Sequence, residues 1–403
     1  MSRQRIQLAS DHPGEGRRAA LVMCASIPWG FHRNRQQELA ERLSAFLSVL
    51  YVEPPQRGAD SRGVWSVNDR CYVLPSLPAL PGDRVSGRIN RSVQHRVATS
   101  IRAALAARGQ ECAVLWIDRI HSVALVEAFP GARVVYDCVD EEWSFGRLCR
   151  RSYLRRLEAA LLDRADVILA SSRGLQRRLS AGGRAVEFVP NGCDFAHFSR
   201  PAGPRPLDLP PADRPLLGFV GSVTRRALDL SLLARVFSLL PECRFAFVGS
   251  ADAASAEVIA RAANATLLGP KPYAGLPDYV TQFDVCLIPY LVGRRIDYVY
   301  PKKLHEYLAA GKPVVATDMP ELRAFAGVIE IGRTPEEFVG KIEECLRAQA
   351  DPARAIRLRE ERQTVARENT WEKRVEQILA LWDSELPSRA AAFAPQRRAT
   401  VHA

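Results

Sequence analysis

The chain has 403 residues, 47% hydrophobic and 25% charged, with 56 lysines and arginines against 45 acidic residues and a formal net charge of +11. That length is too great for one ordinary core and suits two domains of roughly 150 to 200 residues, with the composition of a soluble globular protein. Apolar runs such as Phe46 to Val52 fall far short of the roughly 20 residues of a membrane span. Residues 1–18 are polar and basic without a secretory apolar core, and the nine cysteines and seven histidines form no Cys-x-x-Cys pair or zinc-ligand grouping, so the chain reads as cytoplasmic with reduced thiols.

Apolar runs alternate with helix-like patterns from end to end. Strands are predicted at 20–27, 48–52, 112–117, 132–136, 166–171 and 185–189, with helices near 34–46, 88–108, 147–164 and 173–180. Residues 199–214 hold five prolines and little apolar content, which marks a linker. A second alternation follows, with strands near 216–220, 244–248, 265–268, 284–288, 313–316 and 328–330. Its helices fall near 228–239, 253–262, 275–282, 302–310 and 335–347. Cys286, inside Val285-Cys286-Leu287-Ile288, reads as a core strand position and not as a nucleophile. Such alternation predicts an α/β chain of two Rossmann-like, doubly wound parallel-sheet domains. The expected divisions are a disordered N-terminus over 1–18, a first domain over 19–198, the linker, a second domain over 215–365, a last helix over 366–386 and a disordered tail over 387–403.

The most informative stretch runs from Tyr300 to Thr317. Pro301 can open a helix, Gly311 can end it, and Pro313 forbids its continuation. Leu304, Tyr307 and Leu308 then share the inward face. Lys303 and Glu306, three apart, share another, where an ammonium can meet a diphosphate and a carboxylate can accept two ribose hydroxyls. The helix N-terminus adds partial positive charge beside the phosphates. The competing reading is a Lys/Glu pair on a solvated face.

The chain resembles the group 1 (family 4) glycosyltransferases of GT-B fold, and especially bacterial exopolysaccharide and teichuronic-acid-type enzymes, over most of residues 20 to 385. The landmarks are Trp29 to Leu39, Val52-Glu53-Pro54-Pro55, Val135-Tyr136-Asp137-Cys138-Val139-Asp140, Val189-Pro190-Asn191-Gly192-Cys193-Asp194, Gly218-Phe219-Val220-Gly221, Tyr279 to Tyr290, and the 300–317 element. The resemblance implies two domains facing across a cleft, an acceptor-binding first half, a nucleotide-sugar-binding second half, and a last helix returning to the first domain, with Thr370 as its N-cap. Lys303, Glu306, Gly221 and Ser222 would hold the nucleotide and diphosphate. Arg225, in Thr224-Arg225-Arg226, stands where the family often has an Arg and a Lys. Lys271-Pro272-Tyr273 occupies the base-recognition region, and Trp29, Gly30 and Arg33 fall in the acceptor-side loop.

One departure matters. The family's two glutamates eight positions apart map onto Tyr298 and Glu306, so the first, sugar-contacting carboxylate is missing unless Asp297 or another residue substitutes. An inverting route needs a base to take the acceptor hydroxyl's proton. Asp140 and then Asp137, both following the strand Val134-Val135-Tyr136, are the candidates, each weighed against a plain turn-capping role. No Asp-x-Asp motif stands where a cation would bridge phosphates, so neither a metal nor another cofactor is expected.

Residues 1–198 hold 28 arginines, no lysine and 20 acidic residues. They cluster on predicted helices at Arg84, Arg88, Arg91, Arg96 and Arg102 and at Arg147, Arg150, Arg151, Arg155 and Arg156. A basic amphipathic face suits an anionic inner-membrane surface and a polyprenyl-diphosphate-linked acceptor, though ordinary solvated helices would look the same. Nucleic-acid binding lacks any recognised motif or aromatic platform, and a nicotinamide-dependent dehydrogenase lacks Gly-x-Gly-x-x-Gly. A sugar-nucleotide epimerase of the same fold is the nearest rival. The expected activity is transfer of a sugar from a nucleotide diphosphate sugar to a glycan or lipid-linked saccharide in bacterial surface polysaccharide synthesis.

Overall fold

A computed structural model describes residues 17–59, 63–141, 151–293 and 296–382. The first sheet contains β1 (Arg18–Cys24), β2 (Ser48–Val52), β3 (Trp65–Ser66), β4 (Cys71–Leu74), β5 (Gln110–Ile117), β6 (Arg133–Cys138), β7 (Val167–Ala170) and β8 (Glu187–Phe188). Their order is β3-β4-β2-β1-β5-β6-β7-β8, and only β3 runs antiparallel to its neighbour. Its helices are α1 (Arg35–Leu43), α2 (Gly87–Ala106), α3 (Leu125–Ala128), α4 (Arg151–Leu162) and α5 (Arg173–Ser180), followed by the single turn α6 (Phe195–Phe198).

The second sheet contains β9 (Leu216–Val220), β10 (Arg244–Val248), β11 (Ala265–Gly269), β12 (Val285–Ile288), β13 (Val314–Thr317) and β14 (Glu330–Gly332), all parallel, in the order β11-β10-β9-β12-β13-β14. Between and after them lie α7 (Leu230–Leu239), α8 (Ala253–Arg261), α9 (Leu276–Val280), α10 (Lys303–Ala309), α11 (Pro335–Gln349), α12 (Pro352–Arg367) and α13 (Trp371–Trp382).

Parallel strands joined by helical crossovers are covered on both faces, which is why β9 and β12 read as unbroken apolar runs, buried throughout. Alternate β1 residues serve two layers: Ala20, Val22 and Cys24 one, Leu21 and Met23 the other. Trp371, Val375 and Ile378 of α13 join the second of these layers, so the last helix packs on the first sheet. Thr370 accepts the Lys373 N–H at its start, at 3.3 Å.

Besides the one-turn helices α3 and α6, three further features depart from the sequence expectation. The short strands β3 and β4 were not foreseen, because four residues between turns leave little periodicity. The stretch expected as a helix over 275–282 is a 3-10 turn (Tyr273–Gly275) running into the brief α9. Helix α12 was missed because it has almost no apolar face, burying only Arg362 and Ala366. Its sequence signals were Asp351, whose carboxylate accepts the Ala353 and Arg354 N–H groups, and Pro352 at the first position. Arg147, Arg150 and most of the two predicted tails lie outside the described residues. The proline-rich stretch 199–214 holds no helix or strand.

The chain passes between the sheets twice, and the two passages touch: Cys193 donates to the Asn369 carbonyl at 3.0 Å and Trp371 donates to the Cys193 carbonyl at 3.1 Å. A second junction meets the start of α5. There the Glu321 carboxylate accepts the Gly174 N–H at 3.2 Å, and Tyr298 packs against the first domain's core. A Cβ on Gly174 would stand 1.7 Å from the Asp297 carbonyl oxygen. Gly174→Ala therefore forces the junction apart or strains it, and a loss of about 1–3 kcal/mol is expected in urea unfolding, as for other overpacked sites.

Candidate active site

In open parallel sheets, ligands bind beyond the carboxyl ends of the strands where strand order reverses. In the second sheet that point lies between β9 and β12. The chain leaves β9 through Gly221-Ser222, with Gly221 at φ 143° and its N–H given to the Val248 carbonyl. Gly249, after β10, has φ 146°, and a Cβ there would lie 1.9 Å from the Gly221 carbonyl oxygen. Both positions thus require glycine, for conformation and for space. The result is an open backbone turn with exposed Ser222 and Arg225 beside it. The Arg225 N–H is fixed by the Asp252 carboxylate at 3.1 Å.

Lys303, in the first turn of α10, reaches the same turn. A Cβ on Gly221 would sit 3.1 Å from its Cε and 3.2 Å from its Nζ. The ammonium donates to the Tyr290 hydroxyl and lies 5.1 Å from the Phe219 ring centroid. Leu304, Tyr307 and Leu308 are fully buried, and the Tyr307 hydroxyl accepts the Val220 N–H at 2.8 Å, locking α10 to the end of β9. Glu306 is buried and paired with Lys302 at 3.2 Å. His305, fully buried between them, bonds the Tyr300 hydroxyl at 2.7 Å. Burial, with Arg374 nearby, pulls its imidazole down to about 3, so it is neutral at physiological pH and shapes the helix without carrying charge.

Tyr273 does not present a free ring face for a base. His197 stacks on it at 4.6 Å, and the Arg33 guanidinium and Lys302 ammonium each lie 5.7 Å from its centroid. Burial, then Glu306, Glu38 and Asp194, push its hydroxyl well above the ordinary tyrosine range.

In the first sheet the order reverses between β1 and β5. Trp29, in the loop after β1, lies edge-on to Tyr51 at 4.9 Å and donates its backbone N–H to Glu53 at 2.9 Å, so it is a half-buried wall. Gly30 is exposed with nothing within 4 Å of an added Cβ, and nothing close requires glycine there. Arg33 pairs with Glu38 at 2.9 Å and with Glu41, which turns it toward the domain junction. The sequence reading passed over Asp118, which follows β5 directly and receives the Ser26 hydroxyl at 3.4 Å. An aspartate after the apolar run Val114 to Ile117 was the available signal.

The two candidate bases separate. Asp140 is exposed beyond the carboxyl end of β6, one strand from the reversal. Asp137 is 1% exposed, and both its oxygens accept from Arg35, at 2.8 and 2.9 Å, while Arg35 also donates to the Pro190 carbonyl at 3.2 Å. This corrects the assignment of Asp137 as a possible base: its carboxylate is committed to a buried pair and cannot reach an acceptor.

Residues 214–348 match the family model described as glycosyl transferases group 1. The second half of the chain thus carries a glycosyltransferase group 1 domain. It is 27% identical over 388 residues, covering 89% of this chain and 96% of the other, to TuaH of Bacillus subtilis (strain 168), assigned by name to teichuronic acid biosynthesis as a glycosyltransferase. Among solved structures it superposes on sucrose-phosphate synthase of Thermosynechococcus elongatus with a TM-score of 0.68 at 17% identity, covering 90% of this chain and 98% of that one. A trehalose-6-phosphate structure from E. coli, bound with UDP-2-fluoro glucose, gives 0.67 at 13% identity, covering 91% and 99%. These likenesses establish the two-domain GT-B fold of the glycosyltransferase.

Arg35 and Asp140 provide a direct contrast. Arg35→Met should cost about 3–5 kcal/mol in denaturant unfolding, because it strands a buried carboxylate. Asp140→Asn, at an exposed position, should cost clearly less in the same measurement.

Proposed function

We propose that this glycosyltransferase moves a sugar from a nucleotide diphosphate sugar, held by its second domain, to a glycan or polyprenyl-diphosphate-linked saccharide presented by its first, in bacterial surface polysaccharide synthesis. The observation that carries the reading is the Lys303 ammonium poised over the Gly221 turn at the β9/β12 reversal. There the diphosphate would meet backbone N–H groups, the start of α10 and a buried cation together, and the leaving charge would be neutralised without a metal. Glu306 would take the ribose hydroxyls, and Arg225 the outer phosphate. The base would lie along Lys271–Tyr273 and be read by backbone groups, since the Tyr273 ring is covered. Asp140 would take the acceptor proton in an inverting displacement.

Calorimetric titration with UDP, GDP and their sugar conjugates tests the donor site. One nucleotide should bind, and Lys303→Ala should weaken it about 10- to 100-fold, the worth of a hydrogen bond to a charged group. Asp140→Asn should leave that affinity unchanged and lower turnover by about 100-fold or more, with wild-type turnover insensitive to EDTA. Equal nucleotide affinity in wild type and Lys303→Ala would sink the diphosphate assignment.

A lipid-linked acceptor would place the enzyme against a membrane. No helix among the described residues is long and apolar enough to cross one, so docking would be peripheral, through α2 and α4. Arg84, Arg88, Arg91, Arg96, Arg102, Arg151, Arg155 and Arg156 are all exposed. Helix α2 has no acidic residue, and Glu158 of α4 is buried. Tyr153 of α4 lies 3.6 Å from a Cβ on Gly87, so the two helices adjoin and would present one arginine-rich face. Leu80 and Val85 are exposed next to it. Reversing Arg88, Arg91, Arg155 and Arg156 to Glu should abolish cosedimentation with phosphatidylglycerol vesicles at moderate salt, since each basic residue contributes about 1 kcal/mol. Wild-type protein that ignores such vesicles at low salt as well would end the docking idea.

A further inference from the structure

Lys302 is the residue of the donor-side helix that the proposed function leaves without a task, yet its ammonium makes a polar contact between the domains beside Glu306. It occupies the N-cap position of α10. Its Nζ donates to the Arg33 backbone carbonyl of the first domain at 2.6 Å and stands 3.2 Å from Glu306 Oε1. It also lies 5.7 Å from the Tyr273 ring centroid, as the Arg33 guanidinium does. The Glu306 side chain is 7% exposed and that of Lys302 26%, so the pair is sheltered from screening far better than a surface salt bridge.

An ammonium has three donors, and a carboxylate has about four acceptor sites across two oxygens. Lys302 can therefore hold Oε1 and the Arg33 carbonyl at once while Oε2 keeps capacity for hydroxyl donors. A hydroxyl pair binding Glu306 changes the charge density that Lys302 feels, and Lys302 is fastened to the other domain. The Arg33 carbonyl is itself held in place, because the same residue's guanidinium is clamped by Glu38 and Glu41, so a force on that carbonyl is passed to α1 and not absorbed by a loose loop.

We propose that Lys302 is a positioning residue that couples nucleotide occupancy of Glu306 to the approach of the first domain. It touches no reacting atom. It orients the ribose-binding carboxylate and, through the Arg33 carbonyl, draws the loop after β1 toward the bound donor. The inference rests on the nucleotide-binding reading of Glu306 given above.

The test uses the full chain with UDP and GDP as probes, in wild type, Lys302→Met, Lys302→Arg and Lys303→Ala. Amide hydrogen exchange is followed separately over the second-domain segments 219–226 and 302–309 and the first-domain segment 29–38. In wild type, the nucleotide that binds should protect all three. In Lys302→Met it should bind roughly 5- to 10-fold more weakly, within the usual range of coupling energies, and should protect the second-domain segments while leaving 29–38 unprotected. Lys302→Arg, which keeps charge and donors, should restore protection of 29–38. A merely structural role for Lys302 would alter exchange of 29–38 with and without nucleotide alike. Equal nucleotide-induced protection of 29–38 in wild type and Lys302→Met overturns the coupling while leaving the donor site standing. Failure of wild type to bind either nucleotide, or unchanged binding in Lys303→Ala, overturns the donor-site reading and this inference with it.

Discussion

The catalytic arrangement depends on the two passages of chain between the sheets being bonded to each other. A parallel sheet exposes its useful loops only at the carboxyl ends of its strands, so two such sheets make one site only if those ends are held face to face. The Cys193 and Asn369–Trp371 backbone bonds do this, and buried polar groups anchor both strands of the crossing. Arg35, held by Asp137, donates to the Pro190 carbonyl at the outgoing passage. Arg374 donates to Asn369 at the returning one. Asn191 reaches from the crossing to the Tyr300 carbonyl, at 2.8 Å, immediately ahead of α10. The same hinge that joins the domains thus sets the start of the helix carrying Lys303 and Glu306.

This dependence explains why the first domain carries expensive groups in its interior. A buried guanidinium-carboxylate pair is weak evidence for stability, since desolvation consumes much of its attraction. Its geometric value is clearer: Arg35 makes three directed bonds, two to β6 and one to the crossing. An apolar pair of equal volume would fill the space without fixing the direction in which the chain leaves the sheet. His305 follows the same logic on the other side. Kept neutral by burial, it orients Tyr300 and spends no charge beside Lys303 and Glu306.

Much of the architecture was legible in the sequence because strands covered on both faces must be apolar throughout and their crossovers must be amphipathic. Strands β2, β9 and β10 and helix α5 fall where the patterns put them. The 300–317 element was legible for a different reason: proline, glycine and an inward stripe of Leu304, Tyr307 and Leu308 leave one arrangement for Lys303 and Glu306. What could not be read were elements that owe their form to tertiary partners. Helix α12 is polar on nearly every side, and α9 is too short to show a period. Asp137 and Asp140 look alike as letters after an apolar strand, and only the position of Arg35, 102 residues away in the chain, separates the buried one from the exposed one. Lys302 was hidden by its neighbour, since in Pro301-Lys302-Lys303 nothing local says which ammonium faces the other domain.

Tyr298 shows how an absent carboxylate can be structural and not simply lost. The resemblance places the family's first glutamate there, yet the tyrosine ring packs against the first domain's core, beside Gly174 at the head of α5. A glutamate in that setting would bring a charge into an apolar contact that already excludes even a methyl group from Gly174, at a cost of several kcal/mol unless it found a partner. The adjacent Asp297 side chain is exposed, while its carbonyl is the group pressed on Gly174. The junction therefore exchanges a sugar-contacting carboxylate for a tight seam between domains. Chemistry that leaned on that carboxylate has no group at this position, whereas in the first domain Asp140 stands exposed at the end of β6.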